Sequence, residues 1–160
     1  MIEKASGTER PDMTIVRVFN APRELVWKAW TEPQHLARWF GPKGFTNPVC
    51  EADARPGGTL RITMQGPDGA LYPMVAVYDE VIEGERLVWT TSVEHDGNVS
   101  FDIRQVTTFA ERDGKTELTL QAFVLRATPE SGDALGGMEI GWSQSLDKLA
   151  ESLLSGTQST

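Results

Sequence analysis

A chain of 160 residues, 39% hydrophobic and 24% charged, is long enough for one domain that buries roughly two thirds of its unfolded surface. Its net charge of −8, with no basic stripe, argues against nucleic acid as a partner, because a phosphate backbone would be repelled. The single cysteine, Cys50, leaves no internal disulfide and fits a reducing cytoplasm, and no apolar run approaches the ~20 residues that span a bilayer.

Residues 1–11 are polar, lack the apolar core of a signal peptide, and are expected to form a flexible N-terminus. A single domain is expected over 12–154, followed by a flexible tail, "SGTQST", over 155–160. The segment "MTIVRVF" (Met13–Phe19) is rich in β-branched and aromatic residues and predicts a first strand. "NAPRELVWKAWT" predicts a helix, with Asn20 or Ala21 at the cap, Pro22 in the first turn and Glu24 at the positive end. Leu25, Val26, Ala29 and Trp30 have helical spacing. A second short helix, "PQHLARWF", is stopped by Gly41-Pro42.

From Gly44 to Arg126 the apolar period becomes two. In "GTLRITMQ", Leu60, Ile62 and Met64 share one face, while Arg61 and Thr63 take the other. "GPDG" (Gly66–Gly69) is a turn, because proline presets φ and Asp-Gly tolerates the reversal. "LYPMVAVYDEV" is apolar on both faces, which predicts a central strand or one covered by another surface, and makes a homodimer an expectation. Leu87, Trp89, Thr91 and Val93 alternate again. Hairpin turns follow at Glu94–Val99 and at "ERDGKT" (Glu111–Thr116), where Asp-Gly is the favoured two-residue pair. Around the latter, Phe101, Ile103, Gln105, Thr107 and Phe109 lie on one side of their strand, and Leu118, Leu120, Ala122 and Val124 on one side of the next. This is an antiparallel meander with one buried face.

A long helix is expected from Pro129 or Glu130 to Leu154. Leu135, Met138, Trp142, Leu146, Leu149 and Leu153 fall within a sector of roughly 80° on it. Ala134, Gly137, Gly141 and Ser145 form a second row, displaced by ~95°, where small side chains let a neighbouring backbone or ligand come close. Its first half is expected to be the less stable one. The class is therefore α+β, a helix lying across a curved antiparallel sheet so that both apolar faces are buried.

No catalytic constellation is visible. His35 and His95 have no second ligand at metal spacing, Cys50 has no sequence-adjacent partner, and "GWSQS" lacks the second glycine of a nucleophile elbow. "PGG" (Pro56–Gly58) precedes a strand and is a turn, not a phosphate cradle. No metal and no cofactor are expected.

The segments "RVFNAPRELVWKAWTEPQHLARWFGP", "RPGGTLRITMQGPDGALYPM", "DEVIEGERLVWT", "TTFAERDGKTELTL" and "GWSQSLDKLAESL" resemble the activator of heat-shock protein 90 ATPase homologue-like proteins, within the START-like (helix-grip, Bet v 1-like, SRPBCC) superfamily. The resemblance covers residues 12–154. It implies a curved sheet gripping the C-terminal helix, with a cavity between them that in the wider superfamily binds lipids, sterols, polyketides and other apolar molecules. The eukaryotic co-chaperone has a separate N-terminal domain that makes much of its chaperone contact. This chain matches only the C-terminal module, so chaperone contact is not expected. The expected function is binding of an apolar or amphipathic small molecule, lipid-, polyketide- or aromatic-like. A cyclase- or hydratase-like enzyme and a co-chaperone-like module are the alternatives. The expected binding residues are Trp39, Phe40, Leu60, Ile62, Met64, Trp89, Thr91, Phe101, Gln105, Met138 and Trp142. Thr91, Gln105 and Thr107 are polar interruptions of apolar strand faces and need hydrogen-bond partners if buried. Contact with nucleic acid or integral contact with a membrane is not expected.

Overall fold

The computed structural model describes residues 10–95, 98–127 and 138–158. Seven strands form one antiparallel sheet: β1 (Met13–Phe19), β2 (Thr46–Ala52), β3 (Thr59–Gln65), β4 (Leu71–Ile82), β5 (Arg86–His95), β6 (Asn98–Arg112) and β7 (Lys115–Ala127). Their spatial order is β1-β7-β6-β5-β4-β3-β2, so each hairpin pairs sequence neighbours and only β1 crosses over, to pair with β7. Register shifts at Thr46/Val49, Tyr78/Glu80, Val93/Glu94 and Asp102/Ile103 bend the sheet, as bulges do.

Helices α1 (Arg23–Thr31) and α2 (Pro33–Trp39) follow β1, and α3 (Met138–Gln158) closes the chain. Pro22, not Asn20 or Ala21, is the cap of α1. It has no side-chain acceptor, and its extended backbone (ψ 152°) leaves its carbonyl to accept the amides of Leu25 and Val26. At α2, Pro33 occupies the first turn, where a missing N–H costs nothing. The expected early turns of the terminal helix, including Ala134, Leu135, Gly136 and Gly137, lie outside the described residues. At its other end α3 continues to Gln158, so residues 155–158, expected in the flexible tail, are helical.

Strand β2 runs through Pro48, a residue that cannot donate to a ladder. It is tolerated because β2 is the edge strand and the register shift falls there. Strand β4 is interior to the sheet, as its apolar character predicts. Only one of its faces is covered within the chain: Ala76 and Tyr78 are buried, while Leu71, Val75 and Val77 are exposed. The buried core lies between the inner face of the sheet and the three helices, and includes Trp30, Leu36, Leu87, Leu118, Leu120, Leu146 and Leu149.

Candidate functional site

The strand registers arrange the inner face in rows. Tyr78, Trp89, Gln105, Ala122 and Met13 are successive cross-strand partners, and Leu60, Ala76, Thr91, Ile103 and Val124 form the next row. Side chains that alternate apolar and polar along one strand thus become neighbours across several.

Trp30 on α1 stands over these rows. Its ring lies 4.8 Å from Trp39, 5.8 Å from Trp89 and 5.7 Å from Trp142, the last stacked at 7°. Trp142 also meets Phe40 edge-on at 5.5 Å. Trp39, Phe40, Trp89 and Trp142, all expected binding residues, are therefore gathered around a tryptophan that was not among them. Trp30 carried a signal, its spacing three residues after Trp27, but that spacing also fits plain core.

Leu60, Ile62 and Trp39 are wholly buried, and Phe40, Trp89, Thr91 and Gln105 nearly so. Met64, Met138 and Trp142 are half-buried against the same core, as are Met74 and Val124. The side chain of Phe101 lies outside the described residues; its backbone sits in β6 opposite Val93. Arg61 and Arg104 point to the outer face, where Arg61 approaches Glu51 at 3.6 Å.

Several polar atoms on or above the inner face are buried and meet no partner in the protein: Trp30 Nε1, Trp89 Nε1, Tyr78 OH, Thr91 Oγ1 and Gln105 Nε2. Thr91 and Gln105 were expected to need hydrogen-bond partners if buried. Within the protein these two atoms meet none, because their cross-strand neighbours, Ala76, Ile103 and Ala122, offer no side-chain acceptor. Burial, then the neighbouring Cys50 and Asp53, push the Tyr78 hydroxyl well above the usual tyrosine range, so it stays protonated. Burial, with Glu51 beside it, pushes the Cys50 thiol up to about 11, which keeps it neutral and a poor nucleophile. Tyr78 was missed because both faces of its strand read as apolar.

The loop between α2 and β2 is fastened to the terminal helix. Lys148 Nζ donates to the carbonyls of Gly41 (3.2 Å), Pro42 (3.2 Å) and Phe45 (3.3 Å), and burial lowers its pKa. The amide of Lys43 donates to Gln144 Oε1 at 3.0 Å. Asn47 Nδ2 ties β2 to the end of α2 through the carbonyls of Ala37 and Phe40. A Cβ at Gly141 would stand 3.7 Å from Pro42, an ordinary contact, so this close approach does not require the glycine.

None of the expected binding residues lines either of two clefts formed by described residues. One, of about 460 Å³, opens beside Arg23, Glu24, Trp27, Glu83 and Glu111. The other, of about 30 Å³, has Leu25, His35 and Leu153 in its walls. His35 is partly exposed and approaches Glu32 at 3.4 Å. Among the described residues no group of His, Cys, Asp and Glu could hold a metal ion, and no helix is long and apolar enough to cross a membrane.

A long helix packed on the concave side of a bent seven-stranded sheet, with two short helices after the first strand, defines a helix-grip protein. Residues 20–153 match the model of the activator of Hsp90 ATPase homolog 1-like proteins, and the chain belongs to that family. It is similar to a solved protein from Chromobacterium violaceum (30% identity, 88% of this chain and 95% of that one, TM-score 0.74). It is also similar to one from Nitrosomonas europaea (27% identity, 92% and 97%, TM-score 0.79). A Silicibacter pomeroyi protein shares the fold at 22% identity (90% and 98%, TM-score 0.75). No functionally curated protein matches the chain.

Proposed function

We propose that the protein binds an apolar or amphipathic small molecule between α3 and the inner face of the sheet, against Trp142, Met64 and the row that holds Thr91. One observation carries this reading. Met64, Met74, Val124, Met138 and Trp142 belong to the core by position and contact, yet they are only half-buried. Large apolar groups left partly uncovered in a concave layer gain by covering themselves with an apolar ligand. Methionine side chains adapt to such a guest by changing rotamers rather than backbone.

A thermal-shift and native-mass screen against lipids and polycyclic aromatics tests this. A binder should raise the melting temperature and perturb tryptophan emission, since Trp142 stacks on Trp30. Trp142→Ala should change affinity while costing less stability than the ~3–5 kcal/mol of a sealed core tryptophan. A screen without binders, together with a full core cost at Trp142, would overturn the reading.

The free, half-buried Cys50 supports a cytoplasmic setting. The exposed outer face bearing Leu71, Val75 and Val77 supports self-association. Sedimentation of Val75→Lys beside the parent chain tests the second point: a dimer that persists unchanged removes that face from consideration.

A further inference from the structure

The unsatisfied atoms over the inner face share one chemical character. Indole Nε1 of Trp30 and Trp89 and amide Nε2 of Gln105 can only donate hydrogen bonds, and the hydroxyls of Tyr78 and Thr91 each carry a proton to donate. All belong to residues more than nine-tenths buried. They are contiguous as well. Tyr78 and Gln105 flank Trp89 in one cross-strand row, Thr91 is two residues along β5, and the Trp30 ring lies 5.8 Å from that of Trp89.

Elsewhere in the same core donors are met. Trp39 Nε1 reaches the Ala29 carbonyl at 2.9 Å, Thr116 Oγ1 the Ala21 carbonyl at 2.8 Å, and Ser145 Oγ the Gly141 carbonyl at 3.0 Å. The one unmet atom among the described residues that can only accept, Asn47 Oδ1, sits apart on β2. Unmet donors are thus a local property of the face proposed to hold a guest. Their chemistry selects what that guest presents, because a buried donor without an acceptor is costly and one facing an oxygen lone pair is not.

Charge narrows the class. The two rows contain no lysine, arginine or histidine, so a carboxylate or phosphate placed there would lose its hydration and find no counter-ion. We propose, resting on the binding function above, that the guest is an uncharged apolar molecule whose carbonyl, ester or ether oxygens accept from Gln105, Thr91, Tyr78 and the two indoles. The site then discriminates between a ketone and the hydrocarbon of the same shape, and against the matching acid.

Isothermal titration of the full chain with fluorene, 9-fluorenone and 9-fluorenone-4-carboxylate separates these cases. Fluorenone is expected to bind at least tenfold more tightly than fluorene, and the carboxylate no more tightly than fluorene. Gln105→Leu and Thr91→Val should each shrink the ratio of fluorenone to fluorene affinity at least threefold. Neither variant should lower the melting temperature of the free protein, since each removes a donor that meets nothing. Equal binding of fluorene and fluorenone would leave a plain hydrocarbon pocket and overturn this inference alone. Preferred binding of the carboxylate would overturn it too, as would a Thr91→Val variant that melts earlier, which would show the hydroxyl satisfied in the free protein. Failure of all three probes, followed by failure of the lipid and aromatic screen, would remove the binding function and this inference together.

Discussion

At the end of the inner face next to α1 and α2, Trp30, Trp39, Leu87, Leu118 and Leu120 show at most 1% exposure, and Trp27 meets Phe109 edge-on at 5.2 Å. At the other end Met64, Met74 and Val124 point toward the same interior but are only half-buried, as is Met138 of α3, while half-buried Trp142 stacks on Trp30. The same sheet with the same alternation is sealed at one end and incompletely covered at the other.

Single substitutions should separate the two halves. Trp30→Ala should cost about 3–5 kcal/mol in chemical denaturation and Met74→Ala about 1 kcal/mol or less. Equal costs would erase the distinction. Gly58→Ala should cost about 2–3 kcal/mol, because its Cβ would overlap the Asp53 carbonyl oxygen in the turn whose Gly58 carbonyl accepts the Tyr78 amide. That loss should be accompanied by altered tyrosine and tryptophan emission, since the Tyr78 ring lies 6.0 Å from that of Trp89.

Arg17→Ala removes the 3.0 Å ion pair that joins β1 to Asp147 on α3, at side chains 31% and 46% exposed. The change should stay below about 1 kcal/mol and shrink further in high salt. A larger loss would mean that the sealed half depends on charge as well as packing. A pH-dependent effect is expected at Cys50, on the less covered half. Its thiol titrates at about 11 in the fold and at 9.0 in the unfolded chain. The unfolded state therefore loses its proton first, and stability should decline as pH rises from 9 toward 11. Alkylation of the native protein should be slow at pH 8 and still accelerating at pH 10. A rate that levels off by pH 9 would show the thiol open to water.

Much of this was legible in the chain. Alternation placed Leu60, Ile62, Trp89, Ile103 and Leu120 on one side of their strands, and the Asp-Gly pair at 113–114 marked the β6–β7 turn, where Asp113 takes a φ of 53°. The family resemblance added the gripping helix, and residues 20–153 match that family. Strand β2 was not legible as an element, since "TNPVCEA" carries a proline and no clear alternation. Its place comes from pairing with β3. Nor was Trp30 separable from ordinary core, or Tyr78 from the exposed Val75 and Val77 on the same strand.

The sequence by itself determined what depends on neighbours along the chain: the periods, the turns, the helix starts and the side of each strand that a residue occupies. The tertiary structure alone decided which apolar face of β4 meets the helices, that Trp39, Trp89 and Trp142 converge on Trp30, and that five buried donors meet no acceptor. Those are relations between residues far apart in sequence. Hydrogen-bond satisfaction and burial are properties of a place, and the place exists only once the strands have registered and α3 has closed over them.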